Sequence, residues 1–325
     1  MSKFKVYISD YDYPDNEIEK SILEPIGAEV IGLKCKTGEG LAELAHDADA
    51  ILQQYAKIPR STIEKLTNCK IIARYGIGVD ILDVQACRDH GIIVTNVPDY
   101  CLDEVADHAI ANAFMLMRNL PHYNKCVKAG SYQWQDWIAP IPRFRGATFG
   151  LLGFGRIAQN LARKVQVFGF KVIAYDPFVS ESFMATCGVK KAELDEVFKL
   201  SDVVSVHTPH TDKTHHIVNA ETLALMKKSA YVVCTSRGKC VDNAALYDAL
   251  VGGIIAGAAV DDPEEEPMKM KNWSPDLNPL FKLDNFFCTP HTAYVSHQSL
   301  QECRRVASNN VKAVLLGEKP FDLVK

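Results

Sequence analysis

Short apolar, β-branched runs alternate with helix-length segments along the whole chain, and this alternation restricts the fold more than any other feature. In the first third the strand candidates are Phe4–Ser9, Ala28–Leu33, Ala50–Gln54, Lys70–Arg74 and Ile92–Thr95, separated by helical patterns such as Asn16–Ile26 and Ser61–Thr67. A second series comprises Thr148–Leu152, Lys171–Tyr175, Val203–His207, Tyr231–Thr235, Ile254–Val260 and Phe286–Cys288. Its crossover helices are expected at Arg156–Phe168, Leu194–Leu200, Ala220–Met226 and Asn243–Val251. Alternation of this kind predicts parallel sheets made of right-handed βαβ units. Two series predict two doubly wound α/β domains, which 325 residues accommodate.

Between the series, Asp103–Leu120 reads as a long helix with Asp103 as N-cap and Pro121 as its stop. After the last strand, Ser296–Leu316 reads as another. A lone helix beyond a finished second sheet is best accommodated by packing back onto the first domain. The expected division is therefore 1–101 with 293–325 against 102–292, with a ligand cleft between them.

Composition excludes several classes. The chain is 47% hydrophobic and 23% charged with a net charge of −4, so disorder is not expected, and no basic block marks a nucleic-acid or anionic-membrane partner. No apolar run reaches the ~20 residues of a membrane span, and Met1–Lys5 lacks the apolar region of a signal peptide. Ten scattered cysteines without a CxxC pair read as reduced core residues of a cytoplasmic protein. His207, His210, His215 and His216 cluster, but at irregular loop spacing, and no metal is expected.

Gly153-Phe154-Gly155-Arg156-Ile157-Ala158 is a G-x-G-x-x-A pattern that follows an apolar strand and opens a helix. Gly153 makes the tight turn, Gly155 lets backbone approach a pyrophosphate, and Ala158 permits close helix–sheet contact. Asp176 ends the next strand, where an acid accepts from the adenosine ribose hydroxyls and repels a 2′-phosphate. NAD is the expected cofactor, although Arg156 is a residue type that tolerates a phosphate. Since about 150 residues precede the fingerprint, a substrate domain is expected to come first.

Hydride exchange with a 2-oxo or 2-hydroxy acid needs a cation for the carboxylate and carbonyl, an acid/base for the hydroxyl proton, and a group that fixes that base. Candidates follow the late strands: Arg237 in Thr235-Ser236-Arg237-Gly238, the acid run Asp261-Asp262-Pro263-Glu264-Glu265-Glu266-Pro267, and His291 in Thr289-Pro290-His291-Thr292. With Ala73–Asp80 and Gly150–Ala158, these stretches occur in an order that resembles the D-isomer-specific 2-hydroxyacid dehydrogenase family over essentially the whole chain. Asn96–Cys101 and Thr292–Gln298 look closest to the branch of C-terminal-binding-protein-like dehydrogenases.

The resemblance implies a flavodoxin-like substrate domain and a Rossmann cofactor domain. It implies a homodimer built on the cofactor domain through Asp103–Pro142, and a small 2-oxo or 2-hydroxy acid as substrate. By the same token Arg237, Glu266 and His291 are catalytic, Glu266 pairing with His291. Gly153, Phe154, Gly155, Arg156, Ile157, Asp176, Thr208, Pro209, Thr235, Ser236 and Asp261 form the cofactor site. Arg74, Ile77, Gly78, Tyr55 and Tyr100 bind substrate. Lys57, Arg60 and Arg74 would suit a phosphorylated acid such as 3-phosphoglycerate; hydroxypyruvate and glyoxylate are alternatives.

Departures from the family pattern are Cys234 in place of asparagine, Asp262-Pro263 in place of an apolar–aromatic pair, His210 in place of leucine, and a longer 268–278 segment. The competing reading is an NAD(H)-sensing binding scaffold of the C-terminal-binding-protein type. A formate-dehydrogenase-like enzyme is disfavoured, because that relative carries glutamine where Glu266 stands.

Overall fold

The computed structural model describes residues 3–267, 270 and 272–324. These divide into two compact units, one of residues 1–101 and 295–325 and the other of residues 102–294.

In the first unit the strands are β1 (Phe4–Ile8), β2 (Ala28–Gly32), β3 (Ala50–Gln53), β4 (Ile71–Arg74) and β5 (Ile93–Thr95). They form one parallel sheet in the order β2-β1-β3-β4-β5. Both faces are covered, which is why these strands read as continuous apolar runs rather than as alternating ones. One face carries Val6, Ile8, Leu52, Ile71 and Ala73, packed with Cys303, Ala307 and Val311 of the helix His297–Leu315. The other carries Tyr7, Ile51, Ile72 and Val94 with Leu41, Ile63 and Cys87.

That C-terminal helix starts at Ser296, whose hydroxyl accepts from the Ser299 amide. Arg304 fastens it to the helix Glu17–Leu23 by a bidentate pair with Glu19, Nε donating to Oε1 at 2.9 Å and Nη2 to Oε2 at 2.7 Å. Both side chains are nearly inaccessible, at 7% and 1% exposed. The Tyr75 hydroxyl donates to the same Glu19 oxygen at 2.9 Å. Burial, then the Glu19 charge, push the Tyr75 phenol well above its ordinary value, so it remains a donor.

The second unit has seven strands: β6 (Thr148–Leu152), β7 (Lys171–Tyr175), β8 (Lys190–Lys191), β9 (Val203–Val206), β10 (Tyr231–Cys234), β11 (Gly257–Val260) and β12 (Phe286–Cys288). Their order is β12-β11-β10-β9-β6-β7-β8, all parallel, so the connection reverses direction between β6 and β9. This is the doubly wound dinucleotide topology with one further strand. The edge strand β8 is only two residues long and carries no apolar run for a sequence reading to find.

Two helix boundaries correct the sequence reading. Asp103 lies inside the first turn of the helix Leu102–Met117 instead of capping it, where its carboxylate accepts from Lys164 Nζ at 2.8 Å. A negative charge there also suits the helix dipole. Pro121 does not stop that helix either. Asn119 breaks it with a left-handed backbone (φ 51°), and Pro121 occupies the opening turn of the next helix, Leu120–Lys128, where a missing N–H costs nothing. In the longer 268–278 segment, a 3₁₀ turn spans Pro275–Leu277 and Trp273 meets the Phe281 ring edge-on at 5.6 Å. Met268, Lys269 and Lys271 lie outside the described residues.

Candidate active site

The fingerprint glycines sit where β6 ends, at the point of topological reversal. Gly153 has φ +86°, and a Cβ on it would lie 3.1 Å from the His207 carbonyl carbon and oxygen, so the loops after β6 and β9 close on each other only without a side chain. Its amide donates to the Tyr175 carbonyl at 2.8 Å. Phe154 is fully buried beneath the turn, and its amide donates to Asp176 Oδ2 at 2.8 Å. Asp176 also accepts from the Phe178 amide through Oδ1 at 2.8 Å. The acid expected to read a ribose is thus braced against the glycine turn.

Gly155 differs from Gly153. It precedes the twelve-residue helix Arg156–Val167 in an extended conformation, with no side-chain cap on the helix and nothing within 4 Å of where a Cβ would be. Arg156 is exposed, Ile157 is half-buried against the core, and fully buried Ala158 brings the helix close to the sheet.

Across the crevice, His207 donates or accepts at Ser205 Oγ (2.8 Å), and burial pushes its imidazole down to about 4. Thr208 Oγ1 contacts Cys240 Sγ at 3.7 Å, and exposed Pro209 offers its carbonyl to Thr214 Oγ1 at 2.6 Å. After β10, Thr235 Oγ1 is buried with no hydrogen-bond partner, at a strand end that faces ligand in this topology. NAD suits this set on three counts: the open space at Gly155, the uncapped helix start beside it, and the unsatisfied Thr235 hydroxyl.

Arg237 follows two residues later, its Nη1 donating to the Ser236 carbonyl at 2.8 Å. Gly238 is pressed against the next loop, since a Cβ there would lie 2.4 Å from Pro263 backbone atoms and 2.5 Å from the Asp262 carbonyl. This close approach draws the Arg237 turn and the acid run together. Cys234 is 1% exposed, with Sγ 3.6 Å from both Ser236 Oγ and the Arg237 carbonyl, and burial pushes its thiol up to about 11.

The acids then divide the work. Asp261, 3% exposed, accepts from Thr289 Oγ1 (2.6 Å) and the Thr292 amide (2.9 Å) through Oδ1, and from the Ala293 amide (2.8 Å) through Oδ2. Its carbonyl also accepts from the His291 amide at 2.6 Å. Asp261 therefore clasps the turn that presents His291. Asp262 Oδ2 lies 3.4 Å from His291 Nδ1. Glu264 meets His216 Nε2 at 2.5 Å and accepts from the Asn243 amide. Glu265 accepts from Asn243 Nδ2 at 2.6 Å and Asn278 Nδ2 at 2.7 Å. Glu266 Oε2 is 3.6 Å from Lys239 Nζ.

Three residues of this group, His216 (φ 50°), Glu266 (φ 50°) and His291 (φ 54°), adopt left-handed backbone conformations that side chains resist. Such strain, about 1 kcal/mol or more each, collects at functional sites. The family pattern points to Glu266 and passes over Asp262. The signal for Asp262 is an acid where the family is apolar.

Of the remaining histidines, His210 Nε2 lies 3.3 Å from His215 Nδ1, and His215 stacks on His216 at 3.9 Å. Among the described residues no group of three or more His, Cys, Asp or Glu is arranged to hold a metal ion.

In the first unit, the expected substrate residues follow β3 and β4. Arg74 turns back on its own loop, donating to the carbonyls of Gly78 (3.1 Å), Gln53 (3.4 Å) and Tyr75 (2.5 Å). It therefore braces the Gly76–Gly78 turn, with Gly76 at φ +137° and the guanidinium 3.5 Å from where a Gly76 Cβ would lie. Asn96 Nδ2 steadies the Ile77 carbonyl at 2.8 Å. Tyr55 lies under Lys36 Nζ at 5.5 Å, and Tyr100 packs at the edge of the core. Arg60 is paired with Asp89 at 2.7 Å, while Lys57 is exposed.

The comparisons with known proteins bear on the family and the fold. The family model for the NAD-binding domain of D-isomer-specific 2-hydroxyacid dehydrogenases matches residues 110–293. The chain is 36% identical over 322 residues to a D-3-phosphoglycerate dehydrogenase of Methanocaldococcus jannaschii, covering 98% of this chain and 59% of that protein's length. It is 34% identical over 287 residues to a glyoxylate reductase of Korarchaeum cryptofilum, covering 87% and 85% respectively. The crystal structure of a D-lactate dehydrogenase from Aquifex aeolicus, in complex with NAD and lactic acid, superposes with a TM-score of 0.85 at 30% identity, covering 97% and 96%. With its fingerprint, sheet order and motif sequence all accounted for, the chain belongs to the D-isomer-specific 2-hydroxyacid dehydrogenase family and carries that family's NAD-binding domain.

Proposed function

We propose that this protein is an NAD-dependent D-2-hydroxyacid dehydrogenase working mainly as a reductase of small 2-oxo acids, with residues 1–101 and 293–325 as substrate domain and 102–292 as cofactor domain. The observation that carries the reading is the grouping of Arg237, the 261–266 acids and His291 on consecutive loops after β10, β11 and β12. Gly155 and the amides opening the helix Arg156–Val167 hold the pyrophosphate, and Asp176 accepts from the adenosine ribose hydroxyls. Phe154, Arg156, Ile157, Thr208, Pro209, Thr235 and Ser236 complete the cofactor site, and Asp261, expected there too, holds the 289–293 turn beside it.

When bound, the reduced nicotinamide supplies a hydride to the substrate's C2. Arg237 binds the substrate carboxylate and polarises the carbonyl, so charge developing on its oxygen meets a fixed cation. His291 delivers the proton to that oxygen and retrieves it in the reverse reaction, and the acid run that includes Glu266 supplies its carboxylate partner. In the first unit, Arg74, Ile77, Gly78, Tyr55 and Tyr100 are the substrate-binding residues of this reading. The pairing of Arg60 with Asp89 and the internal use of Arg74 favour an unphosphorylated acid, of glyoxylate or hydroxypyruvate size.

A homodimer through residues 103–142 fits the apolar side chains exposed there, among them Trp134 (68%), Trp137 (50%), Leu120 (55%) and Val127 (51%). A reducing, cytoplasmic setting fits ten free cysteines.

The test is a panel of 2-oxo acids with NADH and with NADPH, following loss of nicotinamide absorbance. Turnover with at least one acid is expected, with NADH preferred, and His291→Ala should lower kcat by about 10²–10⁴. No turnover with any acid, or full activity in the alanine variant, would refute the reading.

A further inference from the structure

We infer that Asp262, an acid foreign to the family pattern at this position, is the positioning residue of His291. This inference rests on the proposed reaction and assigns a partner within the same site. It starts from the two ends of the histidine. The His291 backbone is pinned at the Asp261 carbonyl (2.6 Å) and strained at φ 54°, so the ring has a fixed origin. Its Nδ1 then faces Asp262 Oδ2 at 3.4 Å, and the Asp262 side chain is 12% exposed. Nε2 is the opposite pole of the imidazole. A carboxylate on Nδ1 selects the tautomer with the proton on Nδ1, which leaves Nε2 to exchange the substrate proton.

At 3.4 Å the two groups are within ion-pair range and a few tenths of an ångström beyond an ordinary hydrogen bond. Acid–base contacts are often this long before substrate arrives, and shorten in the loaded enzyme. Asp262 is also well held. Its backbone is locked by the approach of Gly238, where a Cβ would lie 2.5 Å from the Asp262 carbonyl. Pro263 follows and restricts its backbone further. On either side, Asp261 is spent on the 289–293 turn and Glu264 on His216 and Asn243. Within the acid run, Glu266 Oε2 lies 3.6 Å from Lys239 Nζ, and Asp262 meets the His291 ring. Asp262 is therefore a carboxylate fixed beside Nδ1. In this chain that acid takes the orienting role.

The experiment uses the full-length protein with NADH and glyoxylate, or whichever acid of the panel turns over fastest. Three variants are compared, Asp262→Asn, Asp262→Glu and Glu266→Gln, beside His291→Ala. Asp262→Asn keeps the shape and should fold; it should lower kcat by about 10–100-fold with KM for the acid and the affinity for NADH within about threefold of wild type. Asp262→Glu should recover part of that loss, which a merely structural role would not produce. Independently of turnover, ¹⁵N spectra of the His291 ring, identified by its absence in His291→Ala, should show the proton on Nδ1 in wild type and a changed tautomer balance in Asp262→Asn. An asparagine variant with wild-type kcat, or a ring spectrum altered by Glu266→Gln and not by Asp262→Asn, overturns the inference. Absence of turnover in the wild type would instead defeat the proposed reaction, and the ring spectra would still decide the role of Asp262.

Discussion

The two sheets share a winding rule and treat its consequence in opposite ways. Each reverses direction once, between β1 and β3 in the first unit and between β6 and β9 in the second, and each reversal opens a crevice at the strand ends. In the first unit the crevice is filled by Asp10, fully buried, which accepts from the amides of Gln54 (3.3 Å), Tyr55 (2.7 Å) and Ala56 (3.0 Å). The Ser9 hydroxyl completes its shell at 2.6 Å. In the second unit the residue after β6 is a glycine, and two positions on, Gly155 leaves open space. Topology supplies a crevice; the first residues past the strand decide whether it becomes a joint or a binding site.

Removing the plug should have the largest effect. Asp10→Ala leaves the Gln54, Tyr55 and Ala56 amides without their acceptor, at ~1–3 kcal/mol for each buried group. A net loss of about 3–4 kcal/mol is expected in urea unfolding. A loss below about 1 kcal/mol would mean water replaces the carboxylate and the crevice is open after all.

Filling the open crevice is the converse experiment. Gly155→Val should weaken NADH binding by ~100-fold, or ~2.7 kcal/mol, read by fluorescence titration. Without cofactor the variant should lose only about 1 kcal/mol, as a poorer residue ahead of the helix. Equal affinity in the variant would show that the pyrophosphate does not pass this point.

The smallest effect concerns His207, which borders the open crevice. Its folded value of about 4 lies below its ordinary 6.5, so the native state favours the neutral ring. The associated stability is complete above pH 6.5 and is lost as pH falls from there towards about 4. Wild type should therefore lose on the order of 2 kcal/mol more than His207→Gln between neutral pH and the lower end of that window. Parallel pH profiles for the two proteins would place the titration elsewhere.

Much of this is legible in the chain. Apolar runs bounded by turn residues mark β6, β7 and β12 to the residue, because parallel strands buried on both faces leave a continuous signal. The two-residue β8 leaves none. The run Ile254–Val260 overstates its strand, since Ile255 is apolar for the sake of the core and not of the ladder, and Ile254 is exposed. At the site, Gly153, Gly155 and Arg237 stand in short motifs whose spacing carries their chemistry. The roles of Asp10, Asp262 and Glu264 are illegible for the opposite reason. Each acts on a partner far along the chain, and an acid in a loop looks the same whether it is solvated or holds a distant amide.

The Glu19–Arg304 pair joins residues 285 positions apart, across the whole of the second unit. During synthesis residues 102–294 emerge as one uninterrupted stretch, while the first sheet waits for its last helix. At ~5–20 residues per second the wait is on the order of 10–40 s, long enough for the second unit to fold first. Until Arg304 arrives, the Glu19 carboxylate and the apolar face that its helix will help close stay exposed to water. The nascent first unit is thus the stage at which this protein is most open to chaperones, and to aggregation.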